Sequence, residues 1–155
     1  DDAEWVNRLW SGSINNYPNT AEAEELLDKF MTGCSELIRK EEIGESLEHR
    51  KIFAYVLTKK DSNIVEKPRL MVTSLMHSRE PGGLAVSLYT IGKLCEDYQR
   101  GSDPRTVYLL DTREIWVVPI VNPDGYKFVE DPKMRDARKN RRETCPQDPV
   151  NSGVD

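Results

Sequence analysis

"LMVTSLMHSREPGGLAV", residues 70–86, decides how the chain is read. An apolar run broken only by Thr73 and Ser74 gives way to His77, Arg79 and Glu80, and Pro81, Gly82 and Gly83 follow at once. A buried strand ends in turn chemistry, which the proline and glycines supply. They leave the histidine and the glutamate unexplained. Residues three apart in a strand point to opposite faces, so His77 and Glu80 converge only in a tight turn or in the first turn of a helix. Imidazole and carboxylate are both zinc ligands, and a catalytic zinc takes three protein ligands and keeps one position for water. The pattern HxxE supplies two of the three. By itself it is equally the pattern of a surface histidine beside a helix start, with Glu80 favoured by the helix dipole.

The flanking segments say where this junction sits. "RLMVTSL" (69–75) reads as a strand, and "GGLAVSLYTIGKLCEDYQ" (82–99) as a helix with Leu84, Leu88, Ile91, Leu94 and Cys95 on one face. Upstream, "KIFAYVLT" (51–58) alternates and carries β-branched and aromatic residues, as a strand does, and "DSN" (61–63) marks a turn. From Thr20 to about Lys40, Leu26, Leu27, Phe30, Met31, Leu37 and Ile38 fall near helical spacing, with Thr20 as the expected N-cap and Gly33 weakening the middle. Downstream come the breaker "GSDP", a short apolar piece "RTVYLLD", and "EIWVVPIV" (114–121), which resembles a buried strand although Pro119 argues for an edge, a bulge or a strand end. "NPDG" reads as a structural turn, and the chain then becomes basic and irregular through "KMRDARKNRRE" (133–143). Helices alternating with strands predict an α/β fold, a β-sheet covered by helices. Ligands of such sheets gather where loops leave the carboxyl ends of strands, the kind of edge at which His77 and Glu80 lie.

Composition narrows the function classes. A chain of 155 residues is long enough for one domain with a real core, and three Trp and six Tyr argue against disorder even at 32% charged residues. A formal net charge of -5 disfavours a polyanion-binding surface, so nucleic acid is not an expected partner. No apolar run approaches the roughly 18 residues of a membrane span, and no transmembrane segment is expected. Cys34, Cys95 and Cys145 cannot all pair within one chain and lack the CxxC spacing of a metal site. His49, in "SLEHRK", reads as a surface residue.

Taken in order, "HSREPGG" after a strand, "EIWVVPIVNPDGY", "RKNRRE" and a terminal "GVD" resemble the zinc metallocarboxypeptidases related to carboxypeptidases A and B. The lead-in "YPNTAEAEELL" to "IGESLEHRKIFAYVLT" resembles the opening of that catalytic domain. The resemblance implies a mixed β-sheet flanked by helices, with residues 1–155 the N-terminal portion of a single catalytic domain. It implies zinc as cofactor, held in part by His77 and Glu80. Arg79 would lie near the substrate groove, and Arg138 would steady the oxyanion of the tetrahedral intermediate, with Arg141 or Arg142 as the fallback. Asp155 would accept a hydrogen bond from the zinc-bound histidine. The implied activity is release of C-terminal residues from peptides or proteins by metal-activated water. In that family the third zinc ligand, the pair that grips the substrate carboxylate, the specificity tyrosine and the general-base glutamate all lie beyond GVD. The chain is therefore expected to lack the C-terminal half of the domain, to be inactive alone and to expose apolar strand edges. The family also favours a secreted or a lysosome- or vacuole-like location. Two other readings are a non-catalytic zinc- or peptide-binding remnant, and a related zinc hydrolase of acyl-amino acids or glutamyl side chains.

Overall fold

The computed structural model describes residues 3–60, 64 and 66–155, and the turn expected at 61–63 lies outside the described residues. Helix α1 (Ala3–Arg8), absent from the sequence reading, is too short to persist alone. Trp5 holds it: the indole stands edge-on to Phe30, with ring centroids 5.2 Å apart, and its N–H donates to Glu96 Oε1 at 2.6 Å.

Helix α2 (Thr20–Gly33) is capped by Asn19 instead of the expected Thr20. Asn19 Oδ1 accepts from the Glu22 amide at 2.9 Å while Glu22 Oε2 accepts from the Asn19 amide at 2.8 Å, a reciprocal capping box. The helix stops at Gly33, so the expectation of a helix to about Lys40 is wrong in its last turns. Leu37 is buried in the turn that follows, and Ile38 opens strand β1 (Ile38–Glu45). Apolar side chains spaced to continue the helical face are instead buried from an extended backbone, and periodicity cannot tell these cases apart.

Strand β1 pairs antiparallel with β2 (Lys51–Leu57), from Ile38 opposite Leu57 to Glu45 opposite Lys51, with an irregularity between Glu42 and Gly44. Strand β3 (Arg69–Thr73) then leads into helix α3 (Gly82–Arg100). The piece "RTVYLLD" belongs to helix α4 (Pro104–Thr112), which Asp103 caps by accepting from the Arg105 amide at 3.0 Å, with Pro104 in the first turn. Strand β4 (Glu114–Val118) ends one residue before Pro119, so the proline marks a strand end. "NPDG" is more than a turn: Asn122 caps a short helix α5 (Pro123–Phe128), its side chain accepting from the Gly125 amide at 2.9 Å.

The strand order is β1-β2-β4-β3; β2 runs antiparallel to β4, and β3 runs parallel to it. A mixed sheet flanked by helices is the expected fold class, and α2 and α3 supply Leu26, Leu27, Leu84, Leu88 and Ile91 to a core completed by Leu57 and Val117. Strand β3 differs from a buried strand, because all five of its residues are exposed, with Leu70 and Met71 at 55% and 59%. Among the described residues it pairs on one side only, which leaves an open apolar edge. No helix among the described residues is long and apolar enough to cross a membrane.

Cys34, at the C-cap of α2, is bonded to Cys95 on α3 across a Cα–Cα distance of 6.1 Å, and Cys145 is free and exposed. The bond closes a loop of 61 residues, for which chain-entropy arguments give about 4 kcal/mol of stabilisation. Thermal unfolding with and without reductant, and of Cys95→Ser, should therefore show a clearly lower midpoint for the reduced and the substituted chain. Equal midpoints would mean that the two thiols are unpaired in solution.

Candidate metal centre

Parallel pairing from Arg69 opposite Glu114 to Thr73 opposite Val118 brings the carboxyl ends of β3 and β4 to one edge of the sheet. Backbone bonds continue past both strands: the Ser74 amide donates to Val118 O at 3.0 Å, and the Val121 amide to Ser74 O at 3.1 Å. Leu75 then adopts φ of 50° while buried, a left-handed conformation that costs a non-glycine residue about 1–2 kcal/mol and turns the chain out of the sheet. His77 follows, and the Glu80 amide donates to His77 O at 3.1 Å, closing the tight turn that convergence requires.

In this turn His77 Nδ1 and Glu80 Oε2 lie 3.2 Å apart. Two ligand atoms on a tetrahedral zinc, with bonds of about 2.0–2.2 Å, are separated by about 3.3–3.5 Å, so the pair has nearly the spacing of one tetrahedron edge. Arg138 closes the corner, donating from Nη1 to Glu80 Oε1 at 2.6 Å and from Nε to Asp155 Oδ1 at 2.9 Å. Asp155 Oδ1 is also 3.1 Å from His77 Nε2, and Arg138 Nη2 is 2.9 Å from the same nitrogen.

Those last two contacts require different proton positions. With the proton on Nδ1, the ring donates to Glu80 and accepts from Arg138. With it on Nε2, the ring donates to Asp155, and the Nδ1 lone pair faces the same space as Glu80 Oε2. A cation held between Nδ1 and Glu80 selects the second arrangement, in which a carboxylate behind the ring fixes the tautomer and raises the basicity of the ligating nitrogen. The donor set thus fits zinc as two of its ligands. Among the described residues no group of three or more His, Cys, Asp or Glu side chains is arranged to hold a metal ion.

His77, Glu80, Arg138 and Asp155 therefore come together from segments far apart in sequence. Arg79 does not join them; its Nη1 reaches Asp136 O at 3.3 Å from an exposed position. Arg141 lies over the Phe128 ring, 3.6 Å from its centroid, and pairs with Glu48, whereas the Arg142 amide donates to Asn140 Oδ1 at 3.1 Å, so Arg138 is the arginine at the corner. His49 is exposed on the β1–β2 hairpin and contacts Glu45 at 2.6 Å. Sequence reasoning missed two supports. Gly153 adopts φ of 115°, and a Cβ there would lie 2.0 Å from Asn140 O, so this close approach, which delivers Asp155, admits only glycine. Asp124, buried inside "NPDG", accepts from Ser46 Oγ at 2.6 Å, the Glu48 amide at 2.9 Å and Arg50 Nη1 at 2.7 Å, tying the hairpin loop to α5.

The family model described as zinc carboxypeptidase matches residues 23–155. A zinc carboxypeptidase of Saccharothrix mutabilis subsp. capreolus is 30% identical over 127 residues, 81% of this chain and 29% of the relative. Carboxypeptidase A2 of Mus musculus is 32% identical over 112 residues, 72% of this chain and 25% of the relative. Among solved structures, thrombin-activatable fibrinolysis inhibitor superposes with a TM-score of 0.74 at 22% identity, covering 98% of this chain and 39% of that one. Carboxypeptidase A of Helicoverpa armigera gives 0.69 at 24% identity, covering 90% and 36%. These two likenesses show the fold. The chain spans 25% to 29% of the length of the curated relatives named.

Burial alone would raise the Asp124 carboxyl pKa, and the bonds from Ser46, Glu48 and Arg50 outweigh it and hold it below the ordinary aspartate value. A folded-state pKa below the unfolded one contributes stability above about pH 4, which is lost as pH falls through the folded value. Asp124→Ala should cost about 2–3 kcal/mol at neutral pH, from loss of charged hydrogen bonds, and flatten the acid limb of the stability curve. Denaturant unfolding between pH 2 and 7 measures both, and an unchanged acid limb would remove this role from Asp124.

Proposed function

The chain belongs to the zinc carboxypeptidase family, and from that premise we propose that it forms the N-terminal part of the catalytic domain of a zinc-dependent metallocarboxypeptidase acting on the C-termini of peptides or proteins. The observation that carries this reading is the 3.2 Å approach of His77 Nδ1 to Glu80 Oε2 at the sheet edge, with Arg138 bonded to the same corner. His77 and Glu80 serve as two protein ligands of zinc, and a third comes from polypeptide outside residues 1–155. When bound, zinc would lower the pKa of a coordinated water toward neutrality and polarise the scissile carbonyl. With zinc at Nδ1, Asp155 would accept the His77 proton held on Nε2, leaving the Nδ1 lone pair to ligate. Arg138, fixed by two carboxylates, presents a guanidinium to the negative charge that develops on the carbonyl oxygen. Arg79, exposed beside this corner, contacts the substrate chain. The bond between Cys34 and Cys95 suits an oxidising compartment, in keeping with a secreted or a lysosome- or vacuole-like location.

The test is made on the full-length protein, by zinc analysis after dialysis together with release of terminal residues from peptides. His77→Ala and Glu80→Ala should each lose zinc and activity together, and retained zinc in both would refute the ligand assignment. Arg138→Ala should keep its zinc and lose about 100-fold or more in kcat. Hydrolysis of N-acyl amino acids in place of peptides would move the protein to a different class of zinc hydrolase.

A further inference from the structure

Arg138 lies in a stretch, residues 135–140, that has no regular helix or strand. Hydrogen bonding within its own segment therefore does not fix where its guanidinium points, and the support comes from outside. Three successive carbonyls, of Ala137, Arg138 and Lys139, each accept from the loops that leave β3 and β4. Ser78 Oγ donates to Ala137 O at 2.8 Å or Arg138 O at 3.1 Å, and the Ser78 amide donates to Arg138 O at 2.9 Å. Asn122 Nδ2 donates to Lys139 O at 3.2 Å and to Met76 O at 3.2 Å.

Both residues are placed by burial and by the hydrogen bonds their side chains and amides make. Ser78 is fully buried between His77 and Glu80, and Asn122 is 8% exposed. The Asn122 side chain is oriented by the bond its Oδ1 accepts from the Gly125 amide at 2.9 Å, and its backbone amide donates to Leu75 O at 3.1 Å. A Cβ on Gly125 would lie 2.5 Å from Asn122 Nδ2, so "NPDG" carries a glycine where the amide folds over the helix start. One side chain thereby joins the residue before His77, the residue after Arg138 and the first turn of α5.

We propose that Ser78 and Asn122 are positioning residues that clamp the backbone of residues 137–139 to the two loops and so hold Arg138 against His77 and Glu80. The role rests on the proposed function, since it presupposes that Arg138 stabilises developing charge. Asn122→Asp has the shape of the native side chain and keeps the acceptor for the Gly125 amide, yet turns an oxygen toward the Met76 and Lys139 carbonyls. Ser78→Ala removes one donor and leaves the backbone bond.

The experiment measures steady-state peptide hydrolysis and zinc content in the full-length enzyme, for each substitution alone and combined with Arg138→Ala. Each alone should lower kcat by about 10- to 100-fold with KM and zinc content unchanged, because small displacements of a charge-stabilising group are felt mainly in the transition state. In the Arg138→Ala background neither should lower kcat further. An equal loss in both backgrounds, loss of zinc, or an unchanged kcat in both single variants would overturn the clamp. An unchanged kcat in Arg138→Ala itself, with zinc retained, would instead remove the charge-stabilising role from Arg138, and the clamp would fall with it.

Discussion

The parallel pairing of β3 with β4 is the constraint on which the rest depends. A parallel pair needs a long crossover, which α3 and α4 provide, and it sends both chain ends out of the sheet in one direction. The loop after β3 carries His77 and Glu80, and the loop after β4 carries Asn122 and begins α5. Were the two strands antiparallel, these loops would lie at opposite edges, and the segment bearing Arg138 could not bond to both. The left-handed turn at Leu75 then lifts the chain from the sheet within two residues of its last ladder bond.

Charge is distributed so that the corner holds itself together. Arg138 bridges Glu80 and Asp155, two carboxylates that would otherwise repel across the imidazole. The imidazole responds to what lies on each side of it, because its Nε2 cannot both accept from Arg138 and donate to Asp155 in one neutral tautomer. A cation at Nδ1 resolves that competition in favour of Asp155. Polar contacts tie neighbouring segments to this corner: Asp124 accepts from Ser46 in the hairpin, Asn122 donates to Lys139 O, and Gly153 lets the last residues approach Asn140.

Much of the fold was legible from short stretches. Residues 51–58, 69–75 and 114–121 carry alternation or β-branched runs, and residues 82–99 carry an unbroken helical stripe bounded by Gly82 and Gly101. Illegible elements were those whose local pattern is ambiguous. Leu37 and Ile38 continue the spacing of α2 but are buried after the chain has turned into β1. Helix α1 exists because Trp5 finds Phe30 and Glu96, neither of which is near it in sequence. "NPDG" reads as a turn because proline and glycine dominate it, whereas its asparagine caps a helix and its aspartate is buried under the hairpin.

The sequence by itself determined the kinds of groups present and their local geometry: a histidine and a glutamate spaced to meet in one turn, a net acidic chain, and an ordered set of motifs that places it in a peptidase family. The motif order already pointed to Arg138 over Arg141 and Arg142 and to Asp155 behind the imidazole; only the tertiary structure decided how they meet His77 and Glu80 and which buried side chains hold them there. Local spacing encodes contacts within one turn of chain, where the backbone limits the choices. The bonds from Arg138 to Glu80 and from Ser78 to Ala137 join residues 58 and 59 apart. They exist only because a parallel strand pair brings two loops to the same edge.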